Sequence, residues 1–328
     1  MSGAKAGSVW LVSREYDLAF LVNAWWPAFA VLCAYFDFSE SAGFWQIYLL
    51  TTPHRWITPL LVAADPDRRQ VGAALLAAVP LLMLALVVGA WGALGQVAPL
   101  IVLDALWNGW HFGGQHAGIA AVYGQRRTTR AQVARAWLVR LCVFGVALRA
   151  MGWNSDISTV LGLPGWTAMA ADSLLFAGLV SLLLLAWTGR PVPSTAASCY
   201  LTSVASAYLM LLGAICSGER RLVMAMALST ACMHAGEYLA FIGYYASRRA
   251  TMGSRGLFSR MATKWGVVLA GFVLFSAFLA TIMEWIAPVW FVIANLASAL
   301  THYAHDGLIW RMRRPETASV LAGGASGA

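Results

Sequence analysis

Residues 99–123 read PLIVLDALWNGWHFGGQHAGIAAVY. At 1.5 Å per residue this stretch makes a helix of about 37 Å, longer than the ~30 Å hydrocarbon layer of a membrane. Its polar members Asp104, Asn108, His111 and Gln115 recur at i, i+4, i+7 and i+11, which is one face of a helix. A strand is excluded, because lipid does not tolerate an open sheet edge. The stretch predicts a membrane-crossing helix that turns a polar, histidine-bearing face inward.

Nine further apolar segments resemble it in length, giving ten near 18–36, 44–63, 72–92, 99–123, 136–153, 166–188, 198–216, 222–246, 265–284 and 288–310. The fifth is interrupted by Arg140 and Arg149. The chain is 60% hydrophobic and only 11% charged, outside the usual range of soluble domains. The expected fold class is therefore all-α: a polytopic integral membrane helical bundle of about 10 transmembrane helices. One helical domain is expected over 1–315, followed by a flexible C-terminal tail over 316–328, ETASVLAGGASGA. The opening MSGAKAGSVWLVSREYD lacks a signal-peptide core, so the N-terminus is expected to be retained.

The net charge of +8 raises nucleic acid as a partner, but its distribution follows topology instead. With the N-terminus in the cytoplasm, Lys5, Arg14, Arg68, Arg69, Arg126, Arg127, Arg130, Arg135, Arg190, Arg248, Arg249, Arg255, Arg260, Lys264, Arg311, Arg313 and Arg314 fall on one side. These are 17 of the 22 basic residues. The opposite loops hold Asp37, Glu40, Asn154 and Asp156, and only Arg220 and Arg221 dissent. The positive-inside rule then gives an integral membrane protein, in the inner membrane if the cell is bacterial, with both termini cytoplasmic and no nucleic-acid partner.

All six histidines lie in these segments: His54, His111, His116, His234, His302 and His305. They occupy the second, fourth, eighth and tenth, which share one direction across the membrane. Ionisable groups at membrane depth are costly and point to function, and imidazole is the commonest protein metal ligand. His302, His305 and Asp306 stand at i, i+3 and i+4, and His234 and Glu237 at i, i+3, with Tyr238 beside them as a hydrogen-bond donor. His111 and His116 are about 140° apart on an ideal helix, and Gly113–Gly114 would permit a π-bulge that joins them. Pro53 and Pro59 predict a kink around His54. The metal-ligand set is thus His54, His111, His116, His234, Glu237, His302, His305 and Asp306.

Each member has a plainer reading. His54 alone would be a hydrogen-bonded core histidine, and Asp104 lies toward the outer surface. Glu284 reads as a solvated helix cap. Arg55 reads as the ion-pair partner of a nearby carboxylate or as the binder of an anionic substrate group. Trp107, Trp110 and Trp310 read as packing or interfacial residues. The five cysteines are scattered, with no paired spacing, and read as small buried thiols.

Imidazoles with one or two carboxylates suit iron, copper or zinc, and exceed the four ligands of a closed zinc site. WHFGGQH (His111, His116), MHAGE (His234, Glu237) and HYAHD (His302, His305, Asp306) resemble the histidine-rich integral-membrane non-haem iron oxygenases. That group includes membrane fatty-acid desaturases, alkane hydroxylases and the bacterial Brp/Blh carotene-cleaving dioxygenases. The HxxxH and HxxHH boxes of the first two are absent, and the chain's size and intramembrane histidines are more similar to the third. The resemblance implies mono- or dinuclear non-haem iron. It also implies a membrane oxidoreductase that uses dioxygen to hydroxylate, desaturate or cleave a lipophilic substrate, whether acyl, sterol or isoprenoid. Hydroxylation or desaturation needs a separate reductase, because the chain carries no flavin, Rossmann or iron–sulfur signature. Two other classes stay open: a haem-binding electron-transfer membrane protein, and a transporter with a histidine relay for protons or metal.

Overall fold

The computed structural model describes residues 10–36, 43, 46–64, 72–123, 129–152, 162, 164–188, 194–253 and 256–310. Among these residues the chain is all helical, without strands. In chain order the α-helices are α1 (Arg14–Phe20), α2 (Trp26–Phe36), α3 (Thr52–Ala64), α4 (Ala73–Leu94), α5 (Ala98–Tyr123) and α6 (Arg130–Met151). They continue with α7 (Trp166–Thr188), α8 (Thr195–Ser217), α9 (Arg220–Thr251), α10 (Leu257–Met261), α11 (Trp265–Ile286) and α12 (Pro288–Ile309).

Five helical stretches are long and apolar enough to cross a membrane: Ala73–Leu94, Arg130–Met151, Trp166–Thr188, Thr195–Ser217 and Ala262–Ile286. Large apolar side chains lie exposed on them, including Val267, Leu174 and Leu81, as expected of surfaces that face lipid. The loop arginines 68, 69, 126, 127, 190, 255, 311, 313 and 314, with Lys5, Asp37, Glu40, Asn154, Asp156 and the tail 316–328, lie outside the described residues.

The segment expected as one span over 18–36 is two short helices. Asn23 takes a left-handed conformation (φ 53°), a state that costs asparagine less than most residues, and Pro27 opens the first turn of α2. The 44–63 segment contains a π turn, Ile47–Thr51, followed directly by α3. There the Thr52 amide bonds the Ile47 carbonyl five residues back, next to Pro53.

The chain divides into two compact units. The first is residues 1–43 with 109–237; the second is 44–108 with 238–328. The division falls within α5 and within α9, so each of these helices supplies residues to both units.

In the first unit α8 is the most buried helix, with Ala196, Ala197, Ser203, Ala205 and Ala207 interleaved with Tyr200, Leu201, Tyr208 and Leu211. Small residues let helices approach closely where burial of apolar surface gives no drive. A Cβ on Gly113 would stand 2.6 Å from the Arg140 carbonyl oxygen, so α5 and α6 touch backbone to backbone there. That explains the Gly113–Gly114 pair, and it corrects the expected π-bulge: α5 is regular α-helix throughout. Arg140 is accommodated by lying over the rings of Trp110 (4.9 Å) and Trp137 (5.4 Å), and Arg149 by pairing with Asp172 at 3.0 Å.

In the second unit α12 packs against α3, α4 and α11. One apolar cluster gathers Ile57, Leu61, Leu76, Leu239, Ile242 and Tyr245, and another gathers Val87, Val97, Ile293, Leu296 and Leu300. These clusters fix α3 and α12 side by side, which positions the polar residues described next.

Candidate metal centre

In the second unit His54 on α3 and His302 on α12 are buried, with ring centroids 4.8 Å apart and planes nearly perpendicular. With Asp306 ionised and His302 neutral, the hydrogen bonds around His302 run in one direction. Ionised Asp306 only accepts, and its Oδ1 takes the Tyr238 hydroxyl proton at 2.7 Å. The Tyr238 oxygen therefore accepts from Thr58, at 2.6 Å. The Thr58 oxygen in turn accepts from His302 Nδ1–H, at 2.7 Å. This chain leaves neutral His302 with its lone pair on Nε2, which faces Asp306 Oδ2 at 3.8 Å. Two acceptors facing one another in a buried place repel unless a proton or a cation lies between them. His54 is oriented in the same manner, its Nδ1 3.3 Å from the Leu50 carbonyl. Metal-bound histidines are typically held through the opposite ring nitrogen by a carbonyl or hydroxyl. The residues fit a metal in part: His302 Nε2 and Asp306 Oδ2 offer a facing donor pair, and the His54 ring lies beside His302.

His305 does not join this set. Its Nε2 lies 3.0 Å from the Leu76 carbonyl on α4, and Pro80 explains the contact. The Pro80 nitrogen carries no hydrogen, so the carbonyl four residues earlier, that of Leu76, has no intrahelical donor. His305 Nε2–H supplies one. His305→Leu is expected to cost about 1–3 kcal/mol, the usual penalty of a stranded buried acceptor. In a Pro80→Ala background, where the helix bond can return, the same change should cost much less. Thermal unfolding of the four proteins of this double-mutant cycle measures the difference.

The first unit carries a second pair. His111 on α5 and His234 on α9 have ring centroids 5.0 Å apart, and the Phe112 ring stacks on His234 at 3.9 Å. Gln115 Nε2 donates to the His234 carbonyl at 2.8 Å. His116 points elsewhere, as the 140° offset from His111 requires. Its Nδ1 is 2.9 Å from the Tyr200 hydroxyl and 3.2 Å from Glu237 Oε2, and its Nε2 is 3.4 Å from the Tyr208 hydroxyl.

Glu237 is fully buried and ringed by donors. Asn23 Nδ2 reaches Oε1 at 3.1 Å, while Tyr200 (3.2 Å), Gln115 (3.3 Å) and His116 reach Oε2. The left-handed turn at Asn23 makes this possible, since the same amide also donates to the Leu21 carbonyl. Glu237 therefore serves as the acceptor at the centre of a closed network, and its i, i+3 spacing from His234 does not turn the two side chains to one partner. A second buried carboxylate, Asp17, accepts from the Leu11 and Val12 amides and from the Tyr123 hydroxyl at 2.8 Å. Sequence spacing gave no sign of Asp17, Thr58, Tyr200 or Tyr208, because their partners come from distant helices.

Among the described residues Arg55 makes no direct ion pair. It donates to Asn295 (3.3 Å) and to the Tyr303 hydroxyl (3.4 Å), and Tyr303 in turn hydrogen-bonds Asp104. Glu284, read as a solvated cap, accepts from the Tyr48 hydroxyl. Trp107 packs on Tyr303 at 5.9 Å, and Trp310 donates to Tyr238 at 3.4 Å. Cys33, Cys142 and Cys232 are buried thiols; Cys199 is half-buried and Cys216 exposed. Comparison with protein-family models, with curated proteins and with solved structures gives no match.

Proposed function

We propose that the chain is an integral-membrane non-haem iron oxidoreductase that uses dioxygen on a lipophilic substrate. The observation that carries this reading is the facing of His302 Nε2 and Asp306 Oδ2 beside the His54 ring. Two imidazoles and one carboxylate with open positions are the donor set of non-haem iron oxygenases. His54, His302 and Asp306 would hold one iron, and His111 with His234 would contribute to a second. Bound iron would supply dioxygen activation. Thr58, Tyr238 and the Leu50 carbonyl keep the ligand atoms oriented, so little reorganisation accompanies binding. The surrounding apolar helices keep water from a reactive oxidant.

In this reading the long apolar helices cross the membrane, with both termini cytoplasmic. The substrate enters from the bilayer, and the reaction is hydroxylation, desaturation or cleavage. A separate reductase supplies electrons in the first two cases. Metal analysis of the detergent-purified chain with an optical spectrum tests the proposal. The expected result is one to two irons per chain with no Soret band. A Soret band, or no stoichiometric metal after expression in iron-replete medium, would overturn it.

A further inference from the structure

One polar group in the second unit lies outside the ligand set yet beside it. Arg55 follows His54 on α3, and Tyr303 follows His302 on α12. Among the described residues the Arg55 guanidinium has two hydrogen bonds, both long and both to neutral acceptors, at 3.3 and 3.4 Å. Its Nε–H is buried and meets no acceptor. Across the Tyr303 hydroxyl stands Asp104, whose Oδ1 is buried and meets no donor. Arg55 and Asp104 are close enough to feel each other's charge, but they do not touch. Arg55 through an Nη atom and Asp104 through its carboxylate both bond the Tyr303 hydroxyl, so the two side chains lie side by side around one phenolic oxygen, each with a second polar atom left over.

An unused donor and an unused acceptor, on opposite charges that already cancel, specify what fits beside them. A further anion would leave an uncompensated charge in an apolar setting, which is costly. A hydrocarbon would leave both groups stranded. A neutral hydroxyl satisfies both, its oxygen accepting from Arg55 Nε–H and its hydrogen going to Asp104 Oδ1. We propose that Arg55, Tyr303 and Asp104 bind the hydroxyl head of a lipophilic alcohol. This rests on the functional reading above and names the substrate class for it. The hydroxyl end then lies next to His54 and His302, and the carbons nearest it are those exposed to oxidation.

Equilibrium binding to the full chain in lipid nanodiscs, treated with chelator so that metal plays no part, tests the assignment. The probes are hexadecan-1-ol, geranylgeraniol and cholesterol, each against its hydrocarbon lacking the hydroxyl, with hexadecanoate as the anionic comparison. At least one alcohol is expected to bind about tenfold or more tightly than its hydrocarbon and more tightly than hexadecanoate. Asp104→Asn and Arg55→Gln should each remove that preference, the first being nearly isosteric and the safer for folding. Equal binding of every alcohol and its hydrocarbon, a preference for hexadecanoate, or an alcohol preference that survives both substitutions would overturn it. Alcohol binding without iron in the untreated protein would sink the oxidoreductase reading alone; iron without alcohol discrimination would sink this inference alone.

Discussion

On the proposed function, His302→Ala is expected to abolish iron binding at the His302–Asp306 pair while leaving the chain inserted and folded. The substitution deletes the imidazole whose lone pair faces Asp306, so the donor set falls from three to two. The Thr58 and Tyr238 hydroxyls remain paired with each other and with Asp306, which limits the structural damage. Thr58→Val is the graded counterpart. It keeps the ligands and the volume but removes the oxygen that holds His302 Nδ1, and a lost orienting partner costs about 10–100-fold in metal affinity. Metal content after dialysis against a chelator of graded strength separates the two. Unchanged iron in His302→Ala would show that this group is not a metal site.

Glu237→Ala is expected to give the largest loss of stability of any single substitution in the first unit. The carboxylate is fully buried and takes hydrogen bonds from Asn23, Gln115 and Tyr200, with His116 Nδ1 3.2 Å away. Removing it strands those donors together and opens a cavity where Glu237 stood. Breaking a buried polar pair costs about 3–5 kcal/mol. Glu237→Gln keeps the shape but turns one acceptor oxygen into an NH₂ group that opposes the donors, so it should fall between alanine and the native residue. Glu219→Ala, at an exposed position, should stay within about 0.5 kcal/mol. Thermal unfolding in detergent, followed by circular dichroism, gives the ranking; a Glu237→Ala protein as stable as the Glu219→Ala protein would refute the network's role.

The helices were legible where hydropathy alone decides. The segments near 72–92, 166–188, 265–284 and 288–310 coincide with α4, α7, α11 and α12 to within a few residues, because lipid forces backbone groups to pair within a helix. The break at residues 21–25 was not legible, since a hydropathy window does not register one left-handed asparagine. Local spacing placed His302 and Asp306 on one face, but the π-bulge that would have joined His116 to His111 is absent, and the 140° offset keeps them apart. It could not show that His305 faces a carbonyl on α4, or that Asn23 and Tyr200 converge on Glu237. Such contacts join residues far apart in sequence and depend on tertiary packing. Pro80 within an apolar helix was the one available signal, because it requires a donor for Leu76 from elsewhere.

That proline also bears on the order in which the chain matures. Leu76 leaves the ribosome 229 residues before the histidine that caps its carbonyl. While the intervening helices are being made, α4 must carry an unsatisfied acceptor or borrow water or a lipid headgroup. The helix is completed only when α12, the last one described, arrives. A chain truncated before residue 288 would therefore hold α4 in a strained, incompletely bonded state. The contact thus ties the closing of α4 to the arrival of α12.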